Sequence, residues 1–409
     1  MKTLRAFALV FLACANAGLV AEEILDRLDD ALTVSAFDDK VRARLSGTID
    51  LEGYLLQQPP PGVLFTGGDK LFNPRLTLYL DVQLGAHLYL FAQSRVDRGF
   101  DPGERGARMR LDEYVLRLTP WEDGRGSLQV GQFATVVGNW AARYNPWENP
   151  FITAPLPYEN LTGIWDSAAP PSLQTLLHWA HVRPFFDGEF SDKHLRQPIV
   201  WGPAYGSGAA ISGRIGKVEY AAELKNAALS SRPENWGVQE EQWQHPTVSA
   251  RVGFRPNRMW NLGVSASVGT YLEHDAASSV APGHGLSDYR QIVLAQDLGF
   301  AWHHWQVWAE FYQARFEIPT IGNADTFAWY LEGKYKFTPQ VFGALRWNQQ
   351  LFNRIDGERW GRDLWRIDGA IGYRPTAHTQ LKLQYSLQHE DAGPRDPCHT
   401  VAAQFTVRF

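Results

Sequence analysis

Two groups of histidine are the densest sets of residues in the sequence that could carry out chemistry. They are His389-Glu390-Asp391 and His303-His304. A hydrolase or acyltransferase would need one of these histidines beside a serine or aspartate nucleophile. The sequence contains no G-x-S-x-G, H-E-x-x-H or paired-cysteine motif. Trp302 and Trp305 flank the second group, which is typical of an aromatic belt at a membrane interface. The sequence therefore predicts no catalytic residue, no metal site and no cofactor.

Charged residues recur at alternate positions of segments that are otherwise apolar. Successive side chains of a strand point to opposite faces, so the charges of each segment share one face. Rows of opposite sign would create a transverse field that orients polar solutes, and a slight excess of cations predicts a mild preference for anions. The cations predicted on this face are Arg44, Arg75, Arg95, Lys225, Arg251, Lys334, Lys336, Arg346, Arg366, Lys382 and Arg408. The carboxylates predicted there are Asp50, Glu52, Asp81, Asp97, Glu219, Glu223, Glu332 and Asp368.

The segments that carry these charges have a period of two. In residues 76–84 the even positions are leucine or valine, whereas the odd positions are Thr77, Tyr79, Asp81 and Gln83. Segments of about ten residues with this pattern are typical of a transmembrane β-barrel, which faces lipid outside and water inside. A secreted, soluble carbohydrate-binding β-protein is the alternative, although a sandwich would use shorter strands with a polar outer face.

The overall composition agrees with an exported chain that crosses a membrane with strands. The sequence has 409 residues, a net charge of −5 and no basic block, so nucleic acid is not a predicted partner. No run of 18 apolar residues follows the N-terminus, which excludes a transmembrane helix from the prediction. Residues 1–21 are predicted to be a signal peptide. Residues 22–40 are predicted to form a short periplasmic lead-in helix, and residues 41–409 the barrel.

The last segment, Cys398 to Phe409, has the pattern of a closing strand. Phe405 and Phe409 share its apolar face with Val401, Ala403 and Val407, and the chain stops on the aromatic ring. A final strand that ends on phenylalanine resembles the last strand of bacterial outer-membrane barrels. In those proteins the terminal aromatic residue is read by the insertion machinery, so Phe405 and Phe409 are the predicted insertion signal.

Short and long connections alternate along the chain, as in outer-membrane barrels. Sixteen strands are well marked and leave residues 137–204 as one very long connection. Two further segments within it, Asn160–Asp166 and Leu173–Val182, have a strand-like pattern. Strands are added in pairs when both termini lie on one side, so the sequence predicts an all-β, antiparallel barrel of 18 strands. Sixteen strands is the alternative.

The segment 137–159 has no periodicity, four prolines and a high aromatic content. A barrel of sixteen or more strands leaves an aqueous channel, and selectivity requires that channel to be narrowed. We therefore expect this segment to fold into the lumen, with a surface loop as the alternative. Its aromatic faces would suit the apolar faces of sugar rings. The predicted constriction residues are Trp140, Arg143, Tyr144, Trp147, Glu148, Phe151 and Tyr158.

The sequence resembles the phosphate-selective porins O and P in residues 36–56, in Val130-Gly131-Gln132-Phe133 followed by Gly138, and in Phe409. The resemblance implies an outer-membrane channel, usually a homotrimer, which is inserted by the barrel-assembly machinery. Phosphate-selective members crowd lysine and arginine at the constriction, whereas residues 137–159 contain Arg143 as their only cation. The sequence therefore predicts passive diffusion of small hydrophilic solutes, anions or sugars. An outer-membrane enzyme or a surface carbohydrate-binding protein is the alternative.

Overall fold

The computed structural model describes residues 22–38, 40–57, 60–98, 107–181, 192–233, 236, 241–391 and 397–409. Sixteen antiparallel strands within these ranges form a closed barrel, accompanied by the short strand β1 and the small hairpin β15–β16. The strands are β1 Thr33–Ala36, β2 Val41–Leu56, β3 Lys70–Leu84, β4 Leu88–Asp97, β5 Arg108–Leu118, β6 Ser127–Phe133, β7 Gly206–Ile215, β8 Val218–Lys225, β9 Thr247–Phe254, β10 Trp260–Thr270, β11 Arg290–Trp302, β12 Trp305–Ile318, β13 Gly322–Lys336, β14 Val341–Phe352, β15 Arg354–Ile355, β16 Glu358–Arg359, β17 Leu364–Tyr373, β18 Thr379–Glu390 and β19 Cys398–Arg408.

The barrel closes because β19 pairs with β2. Their register runs from Thr400 opposite Leu56 to Arg408 opposite Thr48. Phe409 extends the ladder through two backbone hydrogen bonds with Gly47, of 2.9 and 3.0 Å. A Cβ atom at residue 47 would lie 2.7 Å from Cζ of the Phe409 ring. Glycine is therefore needed where the terminal aromatic ring covers the seam.

The two faces of the wall have opposite character. On β2, the outward Ile49 and Leu51 are 43% and 40% exposed, whereas the inward Asp50 and Glu52 are 0% and 2% exposed. Residues 305–316 alternate too poorly in the sequence for the two faces of β12 to be assigned from it. In the structure Glu310 and Tyr312 of β12 point inward and are fully buried, while Phe311 points outward. The polar interior is thus enclosed by an apolar outer surface.

The prediction of 18 strands is wrong, and the alternative of 16 is correct. Asn160–Asp166 forms no strand, and helix α3, Leu173–His181, occupies the other predicted segment, whose last residue, Val182, lies outside the described ranges. Leu173, Leu176 and Leu177 have helical spacing, and this apolar face packs against a cluster of buried residues. The strand-like pattern that the sequence showed in this segment arose from the helical spacing of these leucines.

The two ends of the barrel differ in the length of the connections between strands. One end carries short turns such as 216–217 and 303–304, whereas the other carries long connections, above all 134–205. Helix α1, residues 22–31, lies at the short-turn end. There Asp26 contacts His378 at 2.8 Å and Asp29 contacts Arg44 at 2.8 Å. No helix within the described ranges is long and apolar enough to span a bilayer. The predicted signal peptide, residues 1–21, lies outside those ranges.

Candidate pore and its inserted segment

Residues 137–159, called the inserted segment below, are attached to β12 by one buried carboxylate. Glu310 accepts hydrogen bonds from the backbone N–H groups of Asn139 and of Trp140, the latter at 2.9 Å. It also accepts one from the Tyr158 hydroxyl at 2.6 Å, which lies 2.6 Å from the Tyr312 hydroxyl. Burial and the Glu310 charge raise the pKa of Tyr158 well above its usual value, so this hydroxyl keeps its proton. Glu310 thus joins both ends of the segment to the wall.

Gly138 allows the segment to approach this wall. Its φ of +74° is in the left-handed region, which disfavours other residues. A Cβ atom here would lie 2.3 Å from Tyr312 Oη and 2.7 Å from Glu310 Oε1. The contact between the segment and β12 therefore depends on glycine at this position.

Lysine and arginine residues of the inner wall bind backbone carbonyl groups of the segment. Lys382 Nζ donates to the carbonyl oxygens of Pro146, Asn149 and Phe151 at 2.8, 3.0 and 3.0 Å. Its side chain is 3% exposed. Because this cation is surrounded by the segment, it is not available to a passing solute.

Arg346 and Arg366 act in the same way on the next part of the segment. Arg346 Nη2 donates to the carbonyl of Ala154 at 3.2 Å, and Arg366 donates to the same carbonyl and to the Glu159 carboxylate. Both guanidinium groups also bind Asp368, Arg346 Nε at 2.9 Å. Two cations that the sequence assigned to the lumen therefore hold the segment in place.

The segment also reaches the opposite wall. The Tyr144 hydroxyl accepts a hydrogen bond from Arg95 of β4 at 2.8 Å, and Asn145 Nδ2 donates to the Tyr79 hydroxyl of β3 at 3.1 Å. Arg143 forms an ion pair with Glu332 of β13 at 2.7 Å. Residues 137–159 thus contact β3 and β4 on one side and β12, β13, β14, β17 and β18 on the other.

Most aromatic rings of the segment are buried. Trp140, Phe151 and Tyr158 are 1%, 1% and 2% exposed. The Trp147 ring is 6% exposed and contacts the guanidinium groups of Arg374 and Arg408, whose Cζ atoms lie 4.5 and 4.1 Å from its centroid. These faces are covered by protein and cannot pack against a sugar ring. Ala142 and Glu148 are the exposed side chains of the segment.

The charges predicted for the lumen lie mostly in ion pairs or hydrogen bonds. Arg75 binds Glu52 and lies 3.5 Å from Asp50. Three further ion pairs are Arg95–Asp112 at 3.2 Å, Arg251–Asp297 at 2.6 Å and Arg44–Asp29 at 2.8 Å, and Asp81 accepts a hydrogen bond from the Tyr89 hydroxyl. Arg346 and Arg366 bind the inserted segment. Lys334 and Lys336 lie on the inward face of β13. Pairing removes much of the net field that rows of single charges would create.

Sequence reasoning missed Glu310 and Tyr312 as site residues. Glu310 and Tyr312 lie on β12, where aromatic residues on both faces hid the alternation. The available signal was the triplet Glu310-Phe311-Tyr312, in which a carboxylate and a tyrosine two positions apart share one face of a strand.

The long-loop end contains an apolar cluster formed by several connections. Its buried members include Leu176 of α3, Tyr271, Phe316 and Trp360, each no more than 1% exposed. Helix α2, Leu156–Glu159, packs on the same cluster through Leu156. This cluster supports the inserted segment from the long-loop side.

The histidines considered for catalysis lie beside aromatic rings at strand ends. The His389 ring centroid is 5.7 Å from that of Trp365, and the His303 centroid is 4.5 Å from that of Trp302. Within the described ranges no three His, Cys, Asp or Glu residues form a group that could hold a metal ion.

Solved bacterial outer-membrane proteins have a similar architecture. An anion-selective porin from Comamonas acidovorans matches with a TM-score of 0.56 at 10% identity, over 90% of this chain and 100% of that chain. The outer membrane channel DcaP of Acinetobacter baumannii matches with a TM-score of 0.57 at 10% identity, over 92% and 100%. OmpT, an outer-membrane protein of Vibrio cholerae, matches with a TM-score of 0.55 at 10% identity, over 92% and 100%. The chain has the porin fold.

No protein-family model and no curated protein sequence matches the chain. At identities this low, the similarity to solved porins shows the fold alone. Membership of the phosphate-selective porins therefore stays a prediction.

Proposed function

We propose that the protein is a porin of the bacterial outer membrane through which small hydrophilic solutes diffuse passively. The observation that carries the proposal is a closed barrel of sixteen strands with a polar inner face crossed by the inserted segment. A barrel of this size can hold an aqueous channel, and its apolar outer surface suits lipid. Short turns would then face the periplasm and long connections the cell exterior.

The inserted segment is proposed to set the bore. Hydrogen bonds to β3, β4, β12, β13, β14, β17 and β18 hold it in position. The shape of the segment would be maintained by its buried aromatic residues Trp140, Trp147, Phe151 and Tyr158. The passage would be lined by two exposed residues of the segment, Ala142 and Glu148, and by two partly exposed ones, Arg143 and Tyr144.

Small anions are the proposed solutes in preference to sugars. Four of the five aromatic rings that favoured sugars in the sequence are buried, namely Trp140, Trp147, Phe151 and Tyr158. The charges assigned to the inner face from the sequence include a slight excess of cations. Phosphate selectivity is not proposed, since Arg346, Arg366 and Lys382 are engaged by the segment itself.

The remaining parts of the proposal concern targeting and assembly. Residues 1–21 would direct export, and Phe405 and Phe409 would be read by the barrel-assembly machinery. A homotrimer in outer-membrane lipid is proposed from the resemblance to porins. The apolar outer surface of β3–β5, where Phe72 and Met109 are 58% and 75% exposed, offers area for subunit contact.

Reconstitution into a planar lipid bilayer under a salt gradient tests the proposed function. We expect discrete conductance steps and a reversal potential whose sign reports a mild preference for anions. Folded protein that produces no steps at any applied voltage would contradict a porin.

A further inference from the structure

A cavity of about 640 Å³ lies inside the barrel at the short-turn end. The inserted segment forms its roof through Asn139, Ala142 and Arg143. The turns after β7 and β9 and the inward side of β12 form its walls. The cavity lies between the inserted segment and the short-turn end of the wall from β7 to β12, and it is called the vestibule below.

The vestibule is lined by cations and by no carboxylate. The lining cations are Arg143, Arg214, Lys217, Arg255 and Arg258. Arg143 is neutralised by Glu332 at 2.7 Å and Arg255 by Glu219 at 2.9 Å. Within the described ranges, Arg214, Lys217 and Arg258 form no ion pair. Three uncompensated charges around one cavity raise the local concentration of anions.

Aromatic and amide side chains complete the vestibule. The Trp308 ring points inward from β12, and the Arg143 guanidinium lies 4.2 Å from its centroid. The lining also includes Asn261 and Gln306, whose amides can donate hydrogen bonds. A flat ring could pack against Trp308 or stack on a guanidinium, both of which are favourable arrangements.

We propose that the vestibule binds aromatic carboxylates as they pass through the pore. Guanidinium groups hold a carboxylate through paired hydrogen bonds, which Arg214 near the end of β7 and Arg258 in the turn after β9 would supply. The ring would occupy the wall at Trp308. A carboxylate without a ring would gain only the first contact, and inorganic anions would leave the aromatic wall unused. This inference rests on the proposed porin function, because it names the solutes that the pore favours.

The test is the binding of 2-naphthoate to the folded full-length protein in detergent, followed by the anisotropy of naphthoate fluorescence. We expect saturable binding that Lys217→Gln combined with Arg258→Gln weakens about tenfold. Trp308→Leu should weaken it by a similar factor. Matched controls are Arg125→Gln and Trp302→Leu, which alter exposed residues at the same end that do not line the vestibule. Both controls should leave binding unchanged.

A competitor with a saturated ring separates aromatic recognition from simple charge attraction. Benzoate should displace naphthoate, whereas cyclohexanecarboxylate at the same concentration should displace it about tenfold less well. Equal displacement would overturn the aromatic specificity, and unchanged affinity in the vestibule variants would overturn the site.

Bilayer conductance in potassium chloride keeps the two proposals distinguishable, because it requires no aromatic solute. Conductance steps without naphthoate binding would overturn the vestibule site and leave the porin standing. Binding that depends on Lys217, Arg258 and Trp308, without conductance, would overturn the porin and leave a binding site in a closed barrel.

Discussion

Glu310 joins the two ends of the inserted segment to a single point on the wall. Its carboxylate accepts two backbone N–H groups and the Tyr158 hydroxyl, and it is fully buried. Hydrogen bonds to a buried charge are stronger than those between neutral groups. The position of the segment should therefore depend on this residue more than on any single contact at the exposed surface.

Replacing Glu310 with alanine should loosen the segment. The loss of these hydrogen bonds is expected to lower the free energy that holds it on the wall by about 2–4 kcal/mol. Single-channel recording should show a larger conductance with more open-channel noise. Glu317→Ala is the control, since this residue pairs with Arg290 at the outer surface. Identical traces for both folded variants and the wild type would contradict the role of Glu310.

Phe409 provides a second residue-scale prediction. Its backbone bonds to Gly47 remain possible in Phe409→Ala, so refolding in detergent should be close to normal. Assembly in cells should fall, because the ring is the proposed signal for the insertion machinery. Quantitative immunoblots of outer-membrane fractions measure this, with Val407→Ala on the same strand as the control. Equal amounts of both variants in the membrane would argue against the signal.

At the scale of elements, the cations of β14, β17 and β18 serve the inserted segment rather than the solute. Lys382 donates to three carbonyl groups of residues 146–151, and Gln380 donates to one of them, that of Pro146. Unpaired carbonyls in a buried site are costly, so the segment and these strands stabilise each other. The selectivity of the pore should then come from other charges.

Lys382→Met and Lys217→Gln should therefore affect different properties of the channel. The first leaves the carbonyls of Asn149 and Phe151 without this donor, whereas Pro146 keeps its hydrogen bond from Gln380. It should change conductance, with the reversal potential in a salt gradient nearly unchanged. The second removes an uncompensated vestibule charge and should shift the reversal potential towards cations, with little effect on segment position. A shift in selectivity from Lys382→Met equal to that from Lys217→Gln would show that the buried amine faces the solute after all.

The strands could be predicted from the sequence, but the long connection could not. Alternation fixes the faces of strands such as β2 and β3, because one side meets a polar interior and the other an apolar exterior. The faces of β12 could not be assigned in this way, because Trp308, Tyr312 and Phe316 point inward whereas Gln313 and Arg315 point outward. In α3 a helical stripe produced a false alternation. The anchoring contacts of Glu310 and Lys382 are long-range and leave no local pattern.

At the scale of the whole molecule, closure of the hydrogen-bonded ladder between β2 and β19 should govern stability. A closed barrel has no free edge strand, so unfolding must break a complete ladder. The folded protein should migrate faster than the boiled protein on a detergent gel, because the barrel remains compact until heated. Equal migration of boiled and unboiled samples from outer membranes would contradict a closed barrel.

The most direct test of the account is chemical block of the proposed bore. Ala142 is exposed on the segment and lines the vestibule, so Ala142→Cys on a Cys398→Ser background of the mature chain places a single thiol there. A charged methanethiosulfonate reagent should then reduce single-channel conductance in irreversible steps, whereas Glu122→Cys in the exposed turn 119–126 should label without effect. Complete labelling at residue 142, verified by mass spectrometry, with unchanged conductance would contradict the central claim that the inserted segment sets the bore.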